Sequence, residues 1–135
     1  MFNLRIRYLS FFFGLIAILS FFNVVYSYYL NLYLNLNTYY SSLVSSLVIA
    51  LAFYKFEKKK TKISIFDKIF TVFFGYIIIP LILSLPFYLS IYNLSFLNSF
   101  FESVSGFTST GFTIFENIKH IDQSLILWRS SIQWI

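Results

Sequence analysis

The chain has 135 residues, 59% of them hydrophobic, 24% aromatic and 11% charged, and its net charge is +5. A soluble domain usually carries about 25% charged residues, so there is too little polar material to coat a globule. The absence of cysteine excludes a disulfide framework and a thiolate metal site.

Charge order divides the chain. Between Arg7 and Lys55 lie 47 uncharged residues, and between Lys68 and Glu102 lie 33. A helix needs about 20 apolar residues to cross about 30 Å of hydrocarbon. The first gap holds two crossings and a short turn, and the second holds one crossing with residues to spare. The first span is predicted over residues 8–30. A basic start before an apolar run also has the form of a secretory signal. The only tolerable cleavage context, Val25-Tyr26-Ser27, is flanked by bulky aromatics, and the run outlasts a signal peptide, so an uncleaved helix is expected.

Asn31 to Asn37 is polar at alternate positions, with Tyr39 and Tyr40 behind it. Asparagine punctuates turns and tyrosine favours the membrane–water interface, which predicts an outside loop with an aromatic belt. A second, short span is expected over residues 41–56, with Lys55 and Lys58 snorkelling at its end. Arg5 and Arg7 and the cluster Lys55, Lys58, Lys59, Lys60 and Lys62 then fall on the cytoplasmic side, where Lys and Arg collect. This bias accounts for the positive charge better than a nucleic-acid or anionic-lipid patch does. The third span is predicted over residues 65–92, with Asp67 near its N-terminus suiting the helix dipole. A kink near its outer end is expected from Pro80 and Pro86, and Asn93 marks its end.

Residues 94–104 form a short amphiphilic segment of about 16 Å as a helix, half a bilayer. Ser105-Gly106-Phe107-Thr108-Ser109-Thr110-Gly111-Phe112-Thr113 follows, uncharged and dense in hydroxyls and glycine. A polar stretch with Glu116, Lys119, His120 and Asp122 comes next, and a further apolar segment begins at Ser124. A half-length helix, a Gly/Thr/Ser loop and a return to the same side describe a re-entrant pore loop. An ion filter replaces shed water with a row of oxygens, and extended backbone carbonyls supply them if glycine stands where φ is positive. The short helix would aim the partial negative charge of its C-terminus at a cation. On these grounds alone, a plain surface loop remains open.

Glu102 reads as an electrostatic or hydrogen-bonding anchor of that loop, or as a surface charge. Arg129 reads as a partner of Glu102 or Glu116, or as a snorkelling cation. His120 stands without the convergent ligands that a metal site needs. None of the loop hydroxyls has a base to activate it, and no G-x-S-x-G, H-E-x-x-H or phosphate loop is present, so no enzyme is expected.

Phe100 to Thr113, F-F-E-S-V-S-G-F-T-S-T-G-F-T, resembles the first pore helix and filter of the Trk/Ktr/HKT potassium-transporter superfamily, approximately F-F-E-x-x-S-G-[FL]-T-T-T-G-A-T. Ser84-Leu85-Pro86-Phe87 resembles the family's G-A-L-P-F. Leu127 to Trp134 resembles its L-x-[WY]-R-x-x-x-Q-W. The three motifs are collinear and cover residues 64–135. Ser109 and Phe112 depart from the family's Thr and Ala. The two earlier spans fit the extra N-terminal helix pair of the TrkH branch.

The resemblance implies an all-α integral membrane fold. It comprises three transmembrane helices, a re-entrant pore helix and filter loop, and the start of a further helix. Residues 1–62 would form a helix pair with a basic loop, and residues 63–135 an incomplete first pore repeat of the four that the family joins in one chain. It implies potassium uptake, with filter carbonyls from Ser109, Thr110, Gly111 and Phe112, K+ at Thr110 and Gly111, and support from Glu102, Gly106, Thr108 and Arg129. Expected surroundings are the lipid of a bacterial inner (cytoplasmic) membrane, the remaining repeats or a homodimer partner, and a cytosolic nucleotide-binding regulatory subunit. No cofactor is expected beyond the transported K+, and no nucleic acid. The alternative is a non-conducting truncated or split product that acts only as an assembly partner.

Overall fold

The structure, a computed structural model, describes residues 6–56, 64–116 and 120–135. Arg5, Lys58, Lys59, Lys60, Lys62 and Lys119 lie outside the described residues, as does the side chain of Arg7. The described residues contain helices and no strand: α1 (Ile6–Tyr29), α2 (Leu36–Phe56), α3 (Ile65–Leu83), α4 (Leu85–Tyr88), α5 (Phe96–Phe107) and α6 (Gln123–Ile132). Tyr8–Tyr29, Leu36–Lys55 and Ile65–Tyr88 are long and apolar enough to cross a membrane. The chain is an all-α membrane protein.

Outward-facing rings and aliphatics, among them Phe11, Phe21 and Phe22 of α1 and Phe66, Val72 and Phe73 of α3, are more than half exposed. Such a surface suits lipid, where helix association rests on close packing and polar contacts rather than on escape from water. Both kinds of contact join α1 to α2, the most extensive pairing in the molecule. Phe13 packs edge-on against Phe53, Ser20 meets Ser42 at 3.1 Å, and Ser10 donates to the Ala50 carbonyl at 2.8 Å.

The turn after α1 closes as a Schellman motif. Asn31 takes φ +56°, its N–H reaches the Tyr28 carbonyl, and the Leu32 N–H reaches that of Ser27. Here the structure corrects the expected second span: α2 begins at Leu36, not Ser41. Asn37, Thr38, Tyr39 and Tyr40 are helical, because residue 35 takes the position before the first turn. Tyr39 lies in no interfacial belt. It is fully buried, with its ring beside Trp128 and its hydroxyl on Ser124 Oγ.

α3 is capped by Ser64, whose hydroxyl accepts the Phe66 N–H. The third span ends at Tyr88 rather than Tyr92 and breaks at Ser84. Pro86 lacks the N–H that would reach the Ile82 carbonyl, while the Ser84 N–H still reaches the Pro80 carbonyl at 2.9 Å. Neighbouring helices bind two carbonyls at the break. Ser103 of α5 donates to Pro80 at 2.8 Å and Trp128 of α6 to Leu83 at 3.2 Å. The kink is thereby the seat on which the short helix and α6 rest. Trp128, Leu83, Phe87, Leu125 and Ile132 form the core beneath it.

Candidate ion-filter loop

α5 begins at Phe96, with the Ser95 hydroxyl accepting the Asn98 N–H at 3.2 Å, and runs to Phe107. Its 12 residues span about 18 Å, half a bilayer. It is displaced by a few residues from the expected 94–104. Its buried face carries Ser99, Glu102, Ser103, Ser105 and Gly106, small except for the one carboxylate. At Gly106 an added Cβ would lie 3.2 Å from Ile132 Cγ2 and 3.7 Å from the Arg129 carbonyl. Glycine is what lets α5 and α6 approach this closely.

The loop folds back onto the end of α5. The Thr108 and Ser109 N–H groups reach the carbonyls of Val104 and Gly106, and the Thr110 N–H reaches that of Ser105. Thr108 Oγ1 donates to Val104 and also meets Thr110 Oγ1 at 2.6 Å. Two residues stand in the left-handed region, Ser109 at φ +54° and Gly111 at φ +81°. Glycine occupies that region without strain. At residue 109 serine fits it better than the β-branched threonine of the family pattern would. The residue type at 109 did not by itself signal this turn.

Glu102 is fully buried. Its Oε1 accepts from Thr113 Oγ1 at 2.7 Å and from the Ile114 N–H. Its Oε2 faces Arg129 Nη1 at 3.2 Å, an ionic contact without the alignment of a hydrogen bond. Of the partners open to Arg129 in the sequence, the structure selects Glu102. Arg129 Nη2 goes on to donate to the Phe112 carbonyl at 2.7 Å. The pair thus clamps the far side of the loop through one buried negative charge and one cation.

The Phe112 carbonyl accepts from both Ser105 Oγ, at 2.6 Å, and Arg129 Nη2, so its lone pairs are engaged within the chain and it fastens the end of the loop. The Phe112 side chain is 69% exposed. Arg129 Nη2 lies 3.5 Å from the Gly111 carbonyl, too long for a strong bond. Among the described residues, no donor reaches the carbonyls of Ser109 and Thr110. Residues 108–112 are all exposed, and a cavity of about 260 Å³ opens beside Gly111, Thr113, Arg129 and Gln133. His120 is exposed.

No family model matches the chain, and no solved structure matches it. An uncharacterized cation transporter of Methanocaldococcus jannaschii is 38% identical over 61 residues, which is 45% of this chain and 13% of the relative. The Trk system potassium uptake protein TrkI of Halomonas elongata is 46% identical over 52 residues, 38% of this chain and 11% of the relative. The matches span only about an eighth of each relative's length. Both relatives are named as transport proteins, in accord with a chain that is not an enzyme. Over the stretches matched, the chain is similar to a named cation transporter and to a named Trk potassium uptake protein.

Proposed function

We propose that the chain supplies one wall of a potassium-selective pore, as part of the pore-forming subunit of a Trk-type uptake system in a bacterial cytoplasmic membrane. The carbonyls of Ser109, Thr110 and Gly111 face the ion, with K+ held at Thr110 and Gly111, while the Phe112 carbonyl anchors the end of the row. The observation that carries this reading is the clamped loop at the C-terminus of a half-length helix. Its backbone is bent by positive φ at Ser109 and Gly111, and among the described residues no donor reaches the Ser109 and Thr110 oxygens. A carbonyl freed in this way at membrane depth calls for an ion or water.

Glu102 and Arg129 act as supports, not as ligands. The carboxylate stands one layer behind the loop, where it neutralises the guanidinium and holds the Ile114 N–H. Gly106 and Thr108 support the loop by close approach and by capping the last turn. One wall encloses no ion, so three further walls are needed, from remaining repeats or from partner chains. A cytosolic nucleotide-binding subunit would act on the gate from inside.

The test is Gly111→Ala in the complete transporter, with 86Rb+ uptake as the measure. An added Cβ meets nothing within 4 Å there, so only the strain of φ +81° acts, and uptake should fall steeply. Wild-type uptake in that variant would refute the filter assignment. The 135-residue chain alone in liposomes should show no K+ flux.

A further inference from the structure

Three asparagines recur at 31, 35 and 37, two in the turn before α2 and one in its first turn, and the outer two are exposed. Asn35 is fully buried. It stands just before α2, where an asparagine side chain ordinarily accepts an N–H of its own helix. It does not do so. Its Oδ1 accepts the Ile91 N–H at 3.1 Å and its Nδ2 donates to Asp122 Oδ2 at 2.8 Å. The carboxamide of the helix pair is thus spent on a backbone N–H and a carboxylate of the pore repeat, 56 and 87 residues away.

Asp122 is held from other sides as well. Its Oδ1 accepts the Ser124 N–H and so caps α6, and its own N–H donates to the Tyr92 hydroxyl. Tyr39 of α2 donates to Ser124 Oγ at 2.9 Å. Deeper in the bilayer, Asn23 of α1 donates to Ser131 Oγ at 3.3 Å. Arg129 lies seven residues after Asp122, about two helical turns. The height and rotation of the α6 start therefore set where the guanidinium falls.

We propose that Asn35 is a positioning residue of the filter repeat. By bridging the turn after α4 to the cap of α6, it keeps Arg129 on Glu102 and on the Phe112 carbonyl. Only its consequence for transport rests on the filter reading.

The pair can be reversed chemically. Asn35→Asp sets a carboxylate against Asp122, which removes the hydrogen bond and adds like-charge repulsion. Combined with Asp122→Asn, the new carboxylate accepts both the Ile91 N–H and the new amide, while the carbonyl of that amide still accepts the Ser124 N–H. Every bond returns, and only the one between residues 35 and 122 exchanges donor and acceptor. In lipid nanodiscs, hydrogen exchange of the 135-residue chain reads the effect at Ile114, whose N–H is bound by Glu102. Asn35→Asp should lower protection there on the order of 10-fold, the double variant should restore it, and the Ile16 amide inside α1 should not change.

Unchanged protection at Ile114 in the single variant would overturn the proposal. So would a double variant no better than the single, or an equal loss at Ile16. If Asn35→Asp does not accumulate in the membrane, recovery of accumulation and of Ile114 protection in the double variant supports the pair, and failure of the double refutes it. In the complete transporter, 86Rb+ uptake should follow the same order. Protection that follows the pair while uptake does not would uphold Asn35 as a positioning residue and sink the filter reading instead.

Discussion

Replacing Glu102 by Gln changes one oxygen to nitrogen in a fully buried side chain. The glutamine carbonyl still accepts from Thr113 and Ile114, but its amide turns donors toward Arg129 Nη1, which the carboxylate met at 3.2 Å. Arg129 is only 16% exposed, so its charge is left largely desolvated and unpaired. Removing one partner of a buried pair costs about 3–5 kcal/mol. Because two of the loop's bonds survive, the lower end applies, about 3 kcal/mol or roughly 150-fold in the equilibrium that keeps the loop docked. Arg129→Gln should cost a similar amount, since it also releases the Phe112 carbonyl. The assay is reversible unfolding of the wild type, both single variants and the double variant in mixed micelles. If the side chains act as one clamp, the double variant should lose little more than either single, with a coupling energy of about 2 kcal/mol or more. Costs that simply add would refute the clamp, whatever the transport data show.

Two further substitutions probe the same loop from other sides. Gly106→Val places branched carbon where one Cβ already comes within 3.2 Å of Ile132, so α5 and α6 must separate. A loss of about 1–3 kcal/mol is expected, read as a lower unfolding midpoint, with Gly106→Ala costing much less. Ser105→Ala removes one of two donors from the Phe112 carbonyl, for a loss of about 1 kcal/mol. In the complete transporter this variant should admit more Na+ relative to K+, measured by competition against 86Rb+ uptake, because a released carbonyl can turn.

The spans were legible because charge is costly in lipid, so uncharged runs of 47 and 33 residues mark them without any packing information. Where the sequence misled, tertiary contact had overridden local polarity. Asn37 and Tyr39 carry turn and interface signals, yet they sit in the first turn of α2, because Tyr39 finds Trp128 and Ser124 to bury against. The break at Ser84 follows from Pro86, but its partners do not. Nothing local says that Ser103 and Trp128 will take the carbonyls of Pro80 and Leu83. At the loop, residue types identified Glu102 and Arg129 as charges needing partners, and geometry chose between Glu102 and Glu116. Asn35 was hidden altogether, since its two neighbours in sequence pattern, Asn31 and Asn37, are ordinary exposed residues.

The Phe112 carbonyl joins these strands. A row of ligands cannot hold its spacing unless something other than the ion fixes at least one end, since like-oriented carbonyls repel one another. In this chain the fixing groups are a serine of the short helix and an arginine of α6. The arginine's own place depends on a carboxylate of the short helix and on the cap of α6. That cap is tied in turn to the N-terminal helix pair through Asn35. The geometry of the loop, and of the filter proposed there, is therefore set by three elements distant in sequence. A substitution that disturbs any one of them should alter selectivity before it abolishes folding. Among them, the helix pair is the element with no filter motif of its own, and so the one whose contribution only the fold reveals.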